Sequence, residues 1–347
     1  MKSRERVLAA IKRENPDRIP SDFRAEEPTL ARLYAYYGHN DRDKLLCDLN
    51  VDMRYINCIE PAEKDCGAYI ENFWGERYVY KKTDWGFYRE TMAGALSSAT
   101  TLRELEEFNW PRVDMMNYDR IPELCAKYDE YGILYGFADI FTRPAIVRGM
   151  EEMLVDFYEN PEFSHFLISK FTDFYIEEYT RAFKESGGRI DMFLIMGDLA
   201  TQLGPFFSMA IYDEFIGPYI KKMNDRLHEL GAYSMFHTCG CSHFFYDRLI
   251  DCGVDIIDPM QRTSPEMHPE VLAEKYGERV CFHGGIDVQT TLPFGSPEEV
   301  KEEVRRYIKA FRKDKLGYIC TSAHYMQHDT PPENVIALYE AISEQNG

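Results

Sequence analysis

Tyr233-Ser-Met-Phe-His-Thr-Cys239, followed at once by Gly240, reads as a short buried strand that ends on two metal-seeking side chains. Residues two apart on extended backbone face the same side, so the imidazole of His237 and the sulfur of Cys239 project together while Thr238 points away. A thiolate beside an imidazole suits zinc. The same pair also fits a hydrogen-bonded histidine packed against an inert buried thiol, and the surrounding pattern has to separate the two.

Outward from this stretch, similar runs recur with helical sequence between them. They span 17–23, 51–58, 133–138, 192–196, 233–239, 255–258, 280–283 and 317–321. Their apolar character suits strands buried on both faces, and strand-helix alternation implies parallel pairing. Eight such units predict a closed (β/α)8 barrel in one domain over residues 1–347.

The helices carry their own punctuation. Ser296-Pro-Glu-Glu299 and Thr330-Pro-Pro-Glu333 read as capping boxes with proline at the first turn. Val300, Val304, Ile308 and Phe311 then form one apolar face. A helix is expected from Asn160-Pro161 toward Gly187-Gly188, and another from Ser208 to near Gly231. Residues 61–132 exceed what one connecting helix needs and contain Trp74, Trp85 and Trp110. A β-hairpin between Tyr69 and Glu90 and a helix at 102–107 are expected there, as an inserted cap or rim.

Composition narrows the function classes. With 40 Lys+Arg against 59 Asp+Glu the net charge is −19, which argues against nucleic acid or an anionic membrane as partner. No apolar run reaches the roughly 18 residues of a membrane span, and the first residues enter a charged amphipathic pattern, so a cytoplasmic protein is expected. Nine cysteines without a repeating framework read as reduced thiols, which permits a thiolate ligand.

Reactive groups of barrel enzymes sit at the C-terminal ends of strands. Here those ends carry Asp198 and Gln202, His237 and Cys239, Asp258 and Gln261, His283 and Asp287, and Cys320 and His324. Dispersed in sequence, they converge on one mouth. Three protein ligands and one open position are the pattern of a catalytic zinc. His237 and Cys239 supply two; His324 is the favoured third and Cys320 the alternative, four residues apart on the last strand. Asp258 is expected to complete a resting site or orient a ligand histidine. Cys241 and His243 follow the glycine turn and are expected to begin the next helix. Asp198, Gln202 and His283 are the candidate catalytic residues, with His283 expected to hydrogen-bond substrate or backbone at the mouth.

These residues also carry a family resemblance. Over 4–20, 149–157, Asp198-Leu-Ala-Thr-Gln202, His237-Thr-Cys-Gly240, His283-Gly-Gly-Ile-Asp287 and Thr330-Pro-Pro-Glu-Asn334 the chain resembles the uroporphyrinogen decarboxylase superfamily. The resemblance implies a (β/α)8 barrel, in agreement with the strand count. Decarboxylases of that superfamily carry an N-terminal Arg-Gln-Ala-Gly-Arg-Tyr motif, whereas this chain reads Ser21-Asp-Phe-Arg-Ala-Glu-Glu27. The resemblance therefore points to the cobamide-dependent methyltransferase branch, which holds zinc with His-x-Cys and a later Cys. His237 and Cys239 match, and His324 stands where the later Cys is expected.

The branch implies methyl transfer between a small methylated substrate or thiol acceptor and a corrinoid protein. The chain has no Asp-x-His-x-x-Gly cobalamin motif, so the cobalamin is expected on a partner. The alternative is a metal-independent decarboxylase acting on a polycarboxylate, with Arg24, Arg54, Arg143 and Arg148 as the carboxylate clamps.

Overall fold

A computed structural model of the protein describes residues 1–83, 86–262, 264–313 and 316–344. Eleven strands follow in chain order: β1 Met53–Ile56, β2 Lys64–Asp65, β3 Ile70–Glu71, β4 Arg77–Thr83, β5 Gly86–Thr91, β6 Gly132–Asp139, β7 Met192–Met196, β8 Tyr233–His237, β9 Ile256–Asp258, β10 Cys281–His283 and β11 Gly317–Ile319. Seven of them form a parallel sheet in the order β1-β6-β7-β8-β9-β10-β11. Every neighbour in that order is also the next barrel strand in sequence, which is the connectivity of a (β/α)8 barrel.

The eighth stave differs from the expected strand over 17–23. Residues 20–22 lie between β11 and β1 as an isolated bridge, Ser21 against Cys320, and not as a ladder strand. The Cys320 N–H donates to Pro20 O and the Asp22 N–H to Cys320 O, while the Asp52 N–H donates to Ser21 O. Both open edges are thus joined and the barrel closes. Pro20 has no N–H to give, so the pairing cannot extend through it.

Side-chain alternation divides the core in two. Met53, Leu134, Met192, Leu194, Met235, Ile256, Cys281 and Ile319 point inward and meet Val7, Ala10 and Ile11 of the helix Ser3–Lys12, which plugs the N-terminal end. Gly317 permits that approach, since a Cβ there would stand 2.7 Å from Ala10 O. The outer faces pack the larger apolar cluster against the surrounding helices. The floor of the barrel is thus filled at the N-terminal ends of its strands.

Most of the helix signals mark real helices. Pro161–Glu185 is one helix, and Pro297–Phe311 starts with the Ser296 and Glu299 capping box. Ser208 caps Met209–Ile211, which continues through a wider turn at Tyr212–Ile216 into Gly217–Leu230 and stops at Gly231 in the left-handed region. The second expected box does not form: the last helix, Pro332–Ser343, is preceded by Pro331, and the Thr330 hydroxyl is buried without capping it. Two successive prolines displace the helix start by one residue, so threonine and glutamate lose the required spacing.

Within the long segment after β1, strands β2 to β5 form a separate antiparallel sheet, followed by the helix Leu102–Glu106. Trp74 is buried against Phe171 and Trp110 is partly buried, and Trp85 lies outside the described residues. Among the described residues no helix is long and apolar enough to cross a membrane.

Candidate metal centre

Strand β8 delivers His237 at its last residue, and the turn that follows is held from three sides. The Cys239 N–H donates to Asp198 Oδ1 at 2.9 Å, the Leu199 N–H donates to Thr238 Oγ1 at 3.1 Å, and the Gly240 N–H donates to Gln261 Oε1. Gly240 has φ +83, and a Cβ there would fall 2.5 Å from Thr201 O. Only glycine fits a left-handed residue pressed against a neighbouring carbonyl. The loop that carries Cys239 is therefore set by the end of β7 as much as by β8.

His237, Cys239 and His324 come together. One ligand atom from each lies within 4.8 Å of the other two, so the three could hold a metal ion. Cys239 Sγ is 3.3 Å from His237 Nε2, and the His237 and His324 rings are 6.2 Å apart in an edge-on arrangement. Zn–N near 2.1 Å and Zn–S near 2.3 Å at a tetrahedral angle put ligand atoms about 3.5 Å apart, so the Cys239–His237 spacing fits zinc. His324 is half-buried, its ring makes no hydrogen bond among the described residues, and its backbone is fixed by Ser322 Oγ donating to His324 O at 2.6 Å.

Cys320, the alternative ligand, is placed elsewhere. It is fully buried in the outer core beside Tyr318, and burial pushes its thiol up to about 12. The strand does not persist to His324: β11 ends at Ile319, and the chain turns before the histidine. Cys320 and His324 thus share no face. Cys241 and His243 form their own contact at 3.5 Å where the next helical turn begins, outside the cluster.

Behind these three candidate ligands lies a buried charge network. Asp258, fully buried at the end of β9, accepts from His237 Nδ1 at 2.5 Å, from Arg24 Nη1 at 2.8 Å and from His283 Nδ1 at 2.6 Å. His283 Nε2 faces Asp22 Oδ2 at 3.1 Å, and Asp22 also accepts from the Tyr55 hydroxyl at 2.6 Å, which in turn accepts from Arg24 Nε at 2.8 Å. Both nitrogens of His283 face carboxylates, so both carry protons and the ring is an imidazolium.

Burial alone would lower the pKa of both histidines, but Asp258, joined by Cys239 at His237 and by Asp22 at His283, outweighs it, and without metal His237 is raised to about 10. Asp258 itself is held far below the usual carboxylate range: burial pushes it up, and Arg24, His283 and His237 together overcome that. The Nδ1 contact fixes the ring of His237 and leaves Nε2 turned toward Cys239.

His283, expected at the mouth against substrate or backbone, stands instead between two buried carboxylates. His283 has no exposed surface and its partners are Asp258 and Asp22. Asp198 is half-buried and holds the Cys239 backbone, while Gln202 is exposed and reaches Gln261 Oε1 at 3.4 Å. Asp22 and Tyr55 were missed, although alternation along 51–58 turns Met53 and Tyr55 inward together.

The four arginines of the carboxylate-clamp alternative are all engaged within the protein. Arg24 is in the network above. Arg54 donates to Val51 O and Met53 O and lies 3.7 Å from the Tyr131 ring. Arg143 binds Glu76 and Tyr175, and Arg148 binds Asp156 and two backbone carbonyls.

Comparison with known proteins agrees with this architecture. The chain superposes on a methyltransferase from Methanosarcina mazei with a TM-score of 0.74, covering 100% of both chains at 16% identity, which is a likeness of fold. In sequence it is 26% identical over 247 residues to a methylated-thiol–coenzyme M methyltransferase of Methanosarcina mazei, covering 69% of this chain and 62% of that protein. It is also 26% identical over 191 residues to uroporphyrinogen decarboxylase of Danio rerio, covering 53% of this chain and 48% of the relative. The chain spans about half the length of the curated decarboxylases it matches. The uroporphyrinogen decarboxylase (URO-D) family model matches residues 118–345, which include every residue of the metal cluster, and the chain belongs to that family.

Proposed function

We propose that the protein is a cytoplasmic, zinc-dependent methyltransferase that moves a methyl group between a small methylated substrate or thiol acceptor and a corrinoid protein. The observation that carries this reading is the cluster of His237, Cys239 and His324 at the open end of the barrel. Thiolate and imidazole are both zinc donors, and three protein ligands with a fourth position open is the pattern of a catalytic zinc. The similarity to a methylated-thiol–coenzyme M methyltransferase supports the same branch. Bound zinc supplies a Lewis acid to the heteroatom that carries or receives the methyl group.

The remaining chemistry belongs to the chain. Asp258 aims His237, and His283, clamped between Asp258 and Asp22, keeps that carboxylate from turning. His283 is thus a positioning residue. Arg24 and the His283 imidazolium together balance the two buried carboxylates. Asp198, and Gln202 through Gln261, hold the Cys239–Gly240 turn in place. In this reading the cobalamin is carried by the partner protein.

The decarboxylase relatives favour a second reading, a metal-free lyase acting on a polycarboxylate. The engagement of Arg24, Arg54, Arg143 and Arg148 inside the protein counts against it. One experiment separates them. Zinc-loaded protein is expected to consume methylcobalamin with a thiol acceptor, or to methylate cob(I)alamin from a methyl donor, and chelation should abolish either reaction with circular dichroism unchanged. Undiminished release of CO2 from a carboxylated substrate by the metal-free protein overturns the proposal.

A further inference from the structure

A cavity of about 120 Å3 lies between Asn57 and Cys58 just after β1, residues 135–137 of β6 and the helix Pro161–Glu185, and the segment inserted after β1 closes it with Phe73, Trp74 and Met116. It is well below the roughly 300 Å3 at which pockets for drug-sized ligands begin, so an occupant has only a few heavy atoms. None of the metal-cluster residues lines it.

The walls combine π faces with buried negative charge. Trp74, Tyr135, Phe137, Phe174 and Tyr175 contribute rings, and Glu178 a carboxyl group. Glu178 is 4% exposed. Its Oε1 accepts from the Tyr135 hydroxyl and from Cys58 Sγ, and its Oε2 has no hydrogen-bond partner among the described residues. Glu60 stands exposed at the rim, and neither carboxyl forms an ion pair among the described residues.

The cations near this rim are already committed: Arg89, which also acts on Glu60, donates to Glu76, and Arg143 is likewise engaged. Arg143 lies 5.9 Å from the Trp74 ring and 6.0 Å from the Phe137 ring, but its donors go to Glu76 and Tyr175. A buried carboxyl without a cationic partner resists ionising, and burial does raise Glu178 to about 7. A ligand bringing positive charge and an N–H would pair with the free oxygen, while its alkyl surface met the ring faces.

We propose that this cavity is a binding site for a small alkylammonium ion, with Glu178 as the acceptor and Trp74 and its neighbouring rings as the cage. The inference is independent of the methyltransferase reading, because it uses no residue of the metal centre. Phe137 is half-exposed, so the cavity has a route to solvent beside the barrel mouth.

The test uses the full chain and trimethylammonium chloride as probe, followed by proton saturation-transfer NMR against sodium chloride at equal ionic strength. The neutral tert-butanol, of matching shape, is the control. Saturable binding of the cation is expected, at least about tenfold tighter than the alcohol. Glu178→Gln should weaken it by about tenfold or more, Glu60→Gln by less, and His237→Ala should leave it unchanged. Binding at neutral pH should also release protons, read by calorimetry in two buffers of different ionisation enthalpy. Equal binding of the neutral control, no saturation by tens of millimolar, or loss of binding in His237→Ala overturns the proposal. If Glu178→Gln does not fold, Glu60→Gln and the neutral control still decide it.

Discussion

Asp258→Asn separates the two jobs given to the buried network. The carboxylate accepts three short hydrogen bonds, from His237 at 2.5 Å, His283 at 2.6 Å and Arg24 at 2.8 Å, in a position with no exposed surface. Asparagine keeps the shape but has one acceptor oxygen and an amide that donates. Turned one way its NH2 meets His283; turned the other it meets both Arg24 and His237. Arg24 then keeps only Asp22, at 3.5 Å, as an ionic partner. Removing one member of a buried ion pair costs about 3–5 kcal/mol.

Loss of the group that orients a ligand histidine lowers metal affinity about 10–100-fold, or about 1.4–2.7 kcal/mol. Urea unfolding of the metal-free variant reads the first quantity, and competition with a chromophoric chelator reads the second. His324→Ala is the contrast: its ring has no hydrogen-bond partner among the described residues, so stability should change by about 1 kcal/mol or less while zinc is lost. An Asp258→Asn protein within about 1 kcal/mol of the parent in stability and within about twofold in zinc affinity refutes the account of Asp258.

Elemental analysis should find zinc retained in Cys320→Ala and depleted in His324→Ala, since Cys320 is buried in the core and held as a neutral thiol; the reverse order would move the third ligand to Cys320. Gly240→Ala should destabilise by about 1–3 kcal/mol through its left-handed backbone, and lower zinc occupancy because the Cys239 loop must shift away from Thr201 O; unchanged occupancy would detach that loop from the site. Glu178 gives a pH signature. Its carboxyl is raised from 4.5 to about 7, so the folded state binds the proton more tightly, and this stabilisation is complete below about 4.5 and lost as pH rises through about 7. At about 1.4 kcal/mol per unit the loss is roughly 3 kcal/mol. Glu178→Gln should flatten that part of the stability profile measured by urea titration from pH 4.5 to 8, and an unaltered profile would show that Glu178 does not titrate in this range.

The sequence by itself determined the barrel and two members of the candidate metal cluster, and the reason is locality. A strand buried on both faces is written in consecutive apolar residues, and His237 and Cys239 share a face because extended backbone repeats every two residues. The plugged floor, the nearness of His324 rather than Cys320 to His237 and the burial of His283 were decided only in three dimensions. Whether Cys320 or His324 turns toward His237 depends on where β11 stops, which its pairing with β10 and with residues 20–22 fixes. His283 looked like a mouth residue because it ends a strand beside two glycines, but Asp22, 261 positions away in sequence, and Asp258 close over it. Charge networks of this kind are built from side chains on different strands, and no local period along the chain encodes which of them will meet.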